Sequence, residues 1–81
     1  MNDQQIITVL NSIFRDILGD PAISLTPETT ADDVVGWDSM THITIVVEAE
    51  GRFSVKFNTA EVEELKNVGE FVALIAKKVS R

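Results

Sequence analysis

The chain has 81 residues, of which 44 % are apolar, and its thirteen acidic side chains outnumber seven basic ones for a net charge of −6. One small domain spanning residues 1–81, with a modest core, is the expectation for that length. The acidic balance, with no basic face interleaved with aromatics, argues against a nucleic-acid partner. There is no cysteine, so disulfides and thiolate metal sites are excluded.

No apolar run approaches the roughly 20 residues of a membrane span. Met1-Asn2-Asp3-Gln4-Gln5 lacks a basic leader region, so a cytoplasmic location is expected. Basic residues gather near the C-terminal end as Lys77, Lys78 and Arg81. An acidic small domain suits docking on basic patches of other proteins, where complementary charge raises the on-rate.

Residues 3–18 read as a helix, because Ile6, Leu10, Ile13, Phe14 and Ile17 recur at the spacing of one face. Asp3 is the expected N-cap, and Gly19 followed by Pro21 ends the run. Residues 19–38 read mostly as loop, with breakers at Gly19-Asp20-Pro21 and Thr26-Pro27. Ile23 and Leu25 are expected to pin this loop to the core, and Thr30 to cap a short turn over residues 31–35. A connection this long in a compact domain is often functional. Trp37, the single tryptophan, is expected to cover the core or brace the loop end.

The loop delivers the chain to Gly36-Trp37-Asp38-Ser39-Met40. Asp38 or Ser39 can satisfy the free N–H groups that open a helix. With Asp38 as N-cap, Ser39 falls in the first turn with its hydroxyl toward solvent. Free N–H groups and the helix dipole make such a start a seat for an anion, a phosphodiester included. Taken alone, Asp-Ser before an apolar run is also ordinary capping chemistry.

Residues 39–53 read as the second long helix and carry two apolar strips. Ile45, Ala49 and Phe53, with Val46 beside them, make one. Met40, Ile43 and Val47 make another at i, i+3 and i+7. One strip suffices to bury a helix, so the second implies a helix wrapped on most sides or an exposed strip for partners. Gly51 and Arg52 weaken the last turn.

Val55 and Phe57 alternate with polar residues, but no second strand exists to pair with them. An extended connector with Phe57 buried is the expectation. Thr59 is read as the cap of a short helix over 60–65, with Val62 and Leu65 inward and Glu61, Glu63 and Glu64 in solvent. Asn67 with Glu70 resembles a capping box. The last helix, 68–79, places Val68, Phe71, Val72, Ile75 and Val79 on one face, with Lys77 and Lys78 suited to its C-terminal end. The fold expected is all-α: an irregular four-helix bundle of three longer helices and one short, with a long loop between the first and second.

No catalytic constellation is evident. A nucleophilic serine needs a base oriented by a third group. The one histidine, His42, lies three residues beyond Ser39, without an evident pocket or oxyanion donors, and a surface or half-buried role is expected for it. Asp32, Asp33 and Asp38 lack EF-hand spacing and a histidine pair, so a solvated acidic loop is expected and no metal in the isolated protein. The domain presents a hydroxyl to chemistry supplied by others.

At this point the sequence resembles the acyl carrier proteins of the phosphopantetheine-attachment family. The likeness covers essentially the whole chain, centred on an Asp-Ser-Leu motif that here reads Asp38-Ser39-Met40, followed by Ile45, Phe53, Phe57, Leu65 and Val68 at familiar spacings. The resemblance implies that Ser39 carries 4′-phosphopantetheine through a phosphodiester. A phosphopantetheinyl transferase would install it from coenzyme A with Mg²⁺, Asp38 contributing to that metal site in the complex. The thiol of the arm would hold acyl groups as thioesters, passed among acyl-loading and acyl-processing enzymes.

Met40, Ile43, Val47 and Glu48 are the expected docking residues. The chain departs from fatty-acid-synthesis carriers where Thr41, His42 and Thr44 replace acidic residues and Arg52 appears. That points to a specialised fatty-acid, lipid or polyketide pathway. Alternatives are a carrier of aminoacyl, peptidyl or aryl groups and, from another class, an unmodified helical interaction domain. A monomer is expected, and Met1 with the compact ends suggests a free-standing protein.

Overall fold

The computed structural model describes residues 2–79, and Arg81 of the basic cluster lies outside them. Four helices form: α1 (Asp3–Leu18), α2 (Ser39–Phe53), α3 (Thr59–Glu63) and α4 (Val68–Val79). A 3₁₀ turn, Ala31–Asp33, interrupts the long loop, and among the described residues there is no strand.

The start of α1 lies one residue earlier than expected. Asn2, not Asp3, is the N-cap: its Oδ1 accepts from the Gln5 backbone N–H at 2.8 Å, and Gln5 Oε1 accepts from the Asn2 N–H at 2.9 Å. Two orphan donors are thereby satisfied reciprocally, and Asp3 is left in the first turn, where its charge favours the helix dipole. Gly19 ends the helix in the left-handed conformation.

Helix α1 is the spine, packing against both α2 and α4. Ile6, Leu10, Ile13 and Phe14 are wholly buried against Ile45, Val46, Ala49 and Phe53 of α2 and Val68, Phe71, Val72 and Ile75 of α4. Ile17 and Val79 are half-buried at the margin. Truncating a side chain as enclosed as Phe71 costs about 3–5 kcal/mol, a large part of the roughly 5–15 kcal/mol that holds a domain folded.

Ile23, Leu25 and Trp37 bring the long loop into this core. Polar groups on α1 hold the loop backbone: Asn11 Oδ1 accepts from the Leu25 N–H at 2.8 Å, and Arg15 Nε donates to the Ile23 carbonyl at 2.7 Å. The loop in turn caps α4. Its Thr29 and Pro27 carbonyls accept from the Val68 and Gly69 N–H groups, each at 2.8 Å, which otherwise have no helical partner. This approach requires glycine at 69, because a Cβ there would stand 2.9 Å from the Pro27 carbonyl oxygen. At the 3₁₀ turn Thr30 is the N-cap, as expected. The Asp33 carboxylate accepts from both the N–H and the hydroxyl of Thr30, and the turn stops at Asp33.

Helix α2 runs through Phe53 and ends on Ser54 in the left-handed conformation. Residues 55–58 connect α2 to α3 without helix or strand, and Phe57 is half-buried, not buried. Its ring lies edge-on to Phe71, with Lys78 Nζ 5.6 Å from its centroid. The cap of α3 is Asn58, not Thr59, in a reciprocal box with Glu61. This helix stops at Glu63, short of residue 65. Val62 and Leu65 are half-buried, and Glu61 is drawn out of solvent by Lys78 at 3.0 Å. Asn67 Oδ1 accepts from the Glu70 N–H, while the Glu70 carboxylate reaches the Lys66 N–H, one residue before the position a strict box would use.

Candidate functional site

The site is built where the loop turns into α2. Gly36 has φ +92, a conformation that few other residues adopt, and its turn sends Trp37 inward while Asp38 and Ser39 stay exposed. Trp37 packs edge-on against Phe14 with ring centroids 4.8 Å apart, so the loop end is fixed to α1.

Asp38 is the N-cap of α2. Its Oδ1 accepts from the Met40 and Thr41 N–H groups, both at 3.0 Å. Thr41, a residue the sequence reading used only as a departure from acidic carriers, completes the cap. Its hydroxyl accepts from the Asp38 N–H at 2.9 Å and donates to the Gly36 carbonyl at 2.6 Å. The signal was present as Asp38-x-x-Thr41, a capping box with threonine at the third position. The Thr41 N–H, then that of Met40, stabilises the charged carboxylate and holds the Asp38 pKa below its ordinary value.

This arrangement alters the anion-seat argument. Met40 and Thr41, whose N–H groups would face a phosphate, already donate to the chain's own carboxylate. The helix dipole remains, but the Asp38 charge stands at its positive end. Ser39, first residue of α2, is exposed, and none of the bonds that fix Asp38 and Thr41 involve its hydroxyl. Asp38 Oδ2 is likewise outside the cap bonds. A hydroxyl and a carboxylate oxygen therefore face outward on adjacent residues.

His42 is not a base for Ser39. Its Nδ1 accepts from Trp37 Nε1–H at 3.1 Å, and its Nε2 faces the Val62 carbonyl at 3.4 Å. Both ring nitrogens are engaged away from the serine. Among the described residues no three acidic or histidine side chains converge as metal ligands; Asp33 bonds back to Thr30, and Asp38 to α2.

The two strips of α2 divide sharply. Ile45, Val46, Ala49 and Phe53 are core, whereas Met40, Ile43 and Val47 are 80 %, 54 % and 60 % exposed. Val35, 91 % exposed on the loop before the motif, adds a fourth apolar residue that sequence reasoning missed; no periodicity marks a loop residue. Glu48 is paired with Arg52 at 2.9 Å, which offsets its charge. Between α2 and α3 lies a groove of about 430 Å³, lined by Ser39, Trp37, His42, Ile43, Val62 and Leu65 among others.

The profile of the phosphopantetheine attachment site family matches residues 8–75. An acyl carrier protein of Acidothermus cellulolyticus is 34 % identical over 76 residues, covering 94 % of this chain and 90 % of that one. A meromycolate extension acyl carrier protein of Mycolicibacterium aurum is 32 % identical, covering 94 % of this chain and 78 % of its own length. Among solved structures, the holo acyl carrier protein of Geobacter metallireducens superposes with a TM-score of 0.85 at 40 % identity, covering 93 % of this chain and 86 % of that one. With its match spanning most of the sequence and an exposed serine opening α2, the chain belongs to the acyl carrier proteins of the phosphopantetheine-attachment family.

Proposed function

We propose that this chain carries acyl intermediates on Ser39, in a dedicated fatty-acid or lipid pathway. The observation that carries the reading is the exposed Ser39 hydroxyl at the opening of α2, beside a carboxylate oxygen that the cap leaves free. The residues fit the family's covalent cofactor, 4′-phosphopantetheine: the attachment atom is reachable, and an apolar-walled groove begins beside it. When bound, that group supplies a terminal thiol that holds acyl chains as thioesters.

Ser39 Oγ serves as the nucleophile toward the pyrophosphate of coenzyme A in a transferase active site. An O–P bond forms at Ser39, the bond to the adenosine bisphosphate leaving group breaks, and the serine proton passes to a base on the transferase. His42 is not that base, since both of its ring nitrogens are engaged elsewhere. Asp38, a carboxylate ionised at neutral pH, offers its second oxygen, which the cap bonds leave unused, to the Mg²⁺ of that complex. Val35, Met40, Ile43 and Val47 form the apolar surface on which transferase and pathway enzymes dock.

The pathway reading draws on the mycobacterial relative, whose name places it in meromycolate extension. A monomeric, cytoplasmic carrier is the reading for its state and place; among the described residues no helix is long and apolar enough to cross a membrane.

The test is incubation with coenzyme A, Mg²⁺ and a broad-specificity phosphopantetheinyl transferase, read by intact mass. One phosphopantetheinyl group should be added to the wild type and none to Ser39→Ala. Modification persisting in Ser39→Ala would move the attachment point, and none on the wild type would favour an unmodified interaction domain.

A further inference from the structure

One hydroxyl stitches the loop end to α2. Thr41 Oγ1 accepts from the Asp38 N–H at 2.9 Å and donates to the Gly36 carbonyl at 2.6 Å. Its approaches to Asp38 Oδ1 and to the Asp38 carbonyl are longer, 3.3 and 3.4 Å, so its single proton goes to Gly36. The Gly36 carbonyl belongs to the peptide before Trp37, and the Asp38 N–H to the peptide after it. Both peptides flanking Trp37 are therefore bonded to the first turn of α2. The indole between them is anchored inside, bonded to His42 and packed on Phe14.

Ser39 inherits its place from this frame. It lies between Asp38 and Thr41, and none of these bonds uses its own side chain. The backbone on either side is what aims its hydroxyl. Asp38 is held in the same way. Its Oδ1 is committed to the Met40 and Thr41 N–H groups, and the bond from its own N–H to Thr41 fixes where that carboxylate starts. Gly36, at φ +92, has a backbone freedom that the Thr41 hydroxyl restrains.

Both bonds are made at the surface. Gly36 and Asp38 are exposed, so water can replace a lost partner, and Asp38 still caps the helix. The loss of the hydroxyl falls on orientation instead, since the loop end and the helix start can then shift against each other. A carboxylate, the usual return partner of a capping box, accepts from the N–H but has no proton for the Gly36 carbonyl. A hydroxyl serves both.

We propose that Thr41 is a positioning residue for the transfer of phosphopantetheine to Ser39: by tying both peptides flanking Trp37 to α2, its hydroxyl holds Ser39 Oγ and the unused Asp38 oxygen in one arrangement for the transferase. The proposal rests on the reading of Ser39 as the attachment residue. Thr41 acts through Asp38 and Ser39 and takes no part in the chemistry. Two variants separate its properties. Thr41→Val keeps the branched shape without the hydroxyl, and Thr41→Ser keeps the hydroxyl.

The bonds are tested first on unmodified protein, by NMR exchange of the Asp38 amide hydrogen with solvent. Exchange should be about fivefold faster in Thr41→Val than in the wild type, as for loss of one hydrogen bond of ordinary net strength, and near the wild type in Thr41→Ser. Equal exchange in the wild type and Thr41→Val would overturn the frame. Positioning is tested by steady-state kinetics with coenzyme A, Mg²⁺ and a broad-specificity phosphopantetheinyl transferase. Where only a fraction of the carrier is in the competent arrangement, apparent affinity falls by that fraction and turnover once bound does not. The KM for Thr41→Val should therefore be about fivefold above the wild type at unchanged kcat, with Thr41→Ser near the wild type.

A lower Tm with wild-type KM in Thr41→Val would mark a purely structural role and overturn the proposal. A fall in kcat at unchanged KM, or a raised KM that Thr41→Ser does not restore, would overturn it as well. If Thr41→Val fails to fold, Thr41→Ala, a better helix former, carries the same expectation. A wild type that accepts no group removes the attachment reading and this proposal with it. A wild type modified with the same KM as Thr41→Val removes the proposal alone.

Discussion

Glycine to alanine at positions 69 and 51 should have effects of opposite sign, because both glycines are helical but only one is crowded. Alanine is favoured over glycine inside a helix by about 0.8–1.0 kcal/mol. At Gly51 of α2 an added Cβ meets nothing within 4 Å, so Gly51→Ala should realise most of that gain. At Gly69 the Cβ would stand 2.9 Å from the Pro27 carbonyl oxygen and 3.3 Å from Pro27 Cβ. The neighbour is loop backbone and must move as a unit. Moving it lengthens the bonds from Val68 to Thr29 and from Gly69 to Pro27, both 2.8 Å.

Two weakened hydrogen bonds cost about 1–3 kcal/mol together. The propensity gain is smaller than at Gly51, since residue 69 is only the second of α4. The net expectation for Gly69→Ala is a loss of about 1–2 kcal/mol. At about 4–8 °C per kcal/mol for a domain of this size, its Tm should fall by roughly 5–15 °C and that of Gly51→Ala should rise by a few degrees. Circular dichroism melts of both variants check this. A Gly69→Ala protein stabilised as much as Gly51→Ala would refute the idea that the long loop caps α4 through close backbone contact.

Ile43→Glu and Val47→Glu should melt near the wild type, because both residues are more than half exposed, yet be modified slowly by the cognate transferase; a large drop in Tm, or normal modification in both, would remove the strip as a docking surface. Asp38 should contribute a stability that depends on pH. Its folded-state pKa lies below its ordinary value near 3.8, so the contribution is complete above that value and is lost as pH falls through the lowered folded pKa. The Tm difference between wild type and Asp38→Asn, followed from neutral pH to below 3.8, should therefore shrink with acid; a difference constant across that range would show that the charge of Asp38 adds nothing to the cap.

The long helices were legible because burial repeats at helical spacing: Ile6, Leu10, Ile13 and Phe14 in α1, and Val68, Phe71, Val72 and Ile75 in α4, are the buried sets. The two strips of α2 were equally legible, and so was Asp38 as its cap. The caps of α1 and α3 slipped by one residue, where two polar residues adjoin as Asn2-Asp3 and Asn58-Thr59 do. What selects between them is which side chain faces the residue three positions on. Gln5 and Glu61 return the hydrogen bond to asparagine in each case, so reading both partners of the box would have placed both starts correctly.

The contacts that escaped the sequence have a common physical character. The order of the loop at residues 19–38 comes largely from its carbonyls meeting the N–H groups of α4 and from Asn11 and Arg15 reaching across from α1. Backbone groups are the same at every position, so no residue type advertises such a bond. The Glu61–Lys78 pair spans seventeen residues and exists only once α3 and α4 are packed. The Trp37–His42 bond spans five, a separation that no regular helix brings face to face; it forms because Gly36 turns the chain just before the cap. The proposed attachment residue, Ser39, could be read locally, since a helix start and its cap are local. The surroundings of Ser39 depend on where α3 comes to rest, and that is set by contacts between residues far apart in sequence.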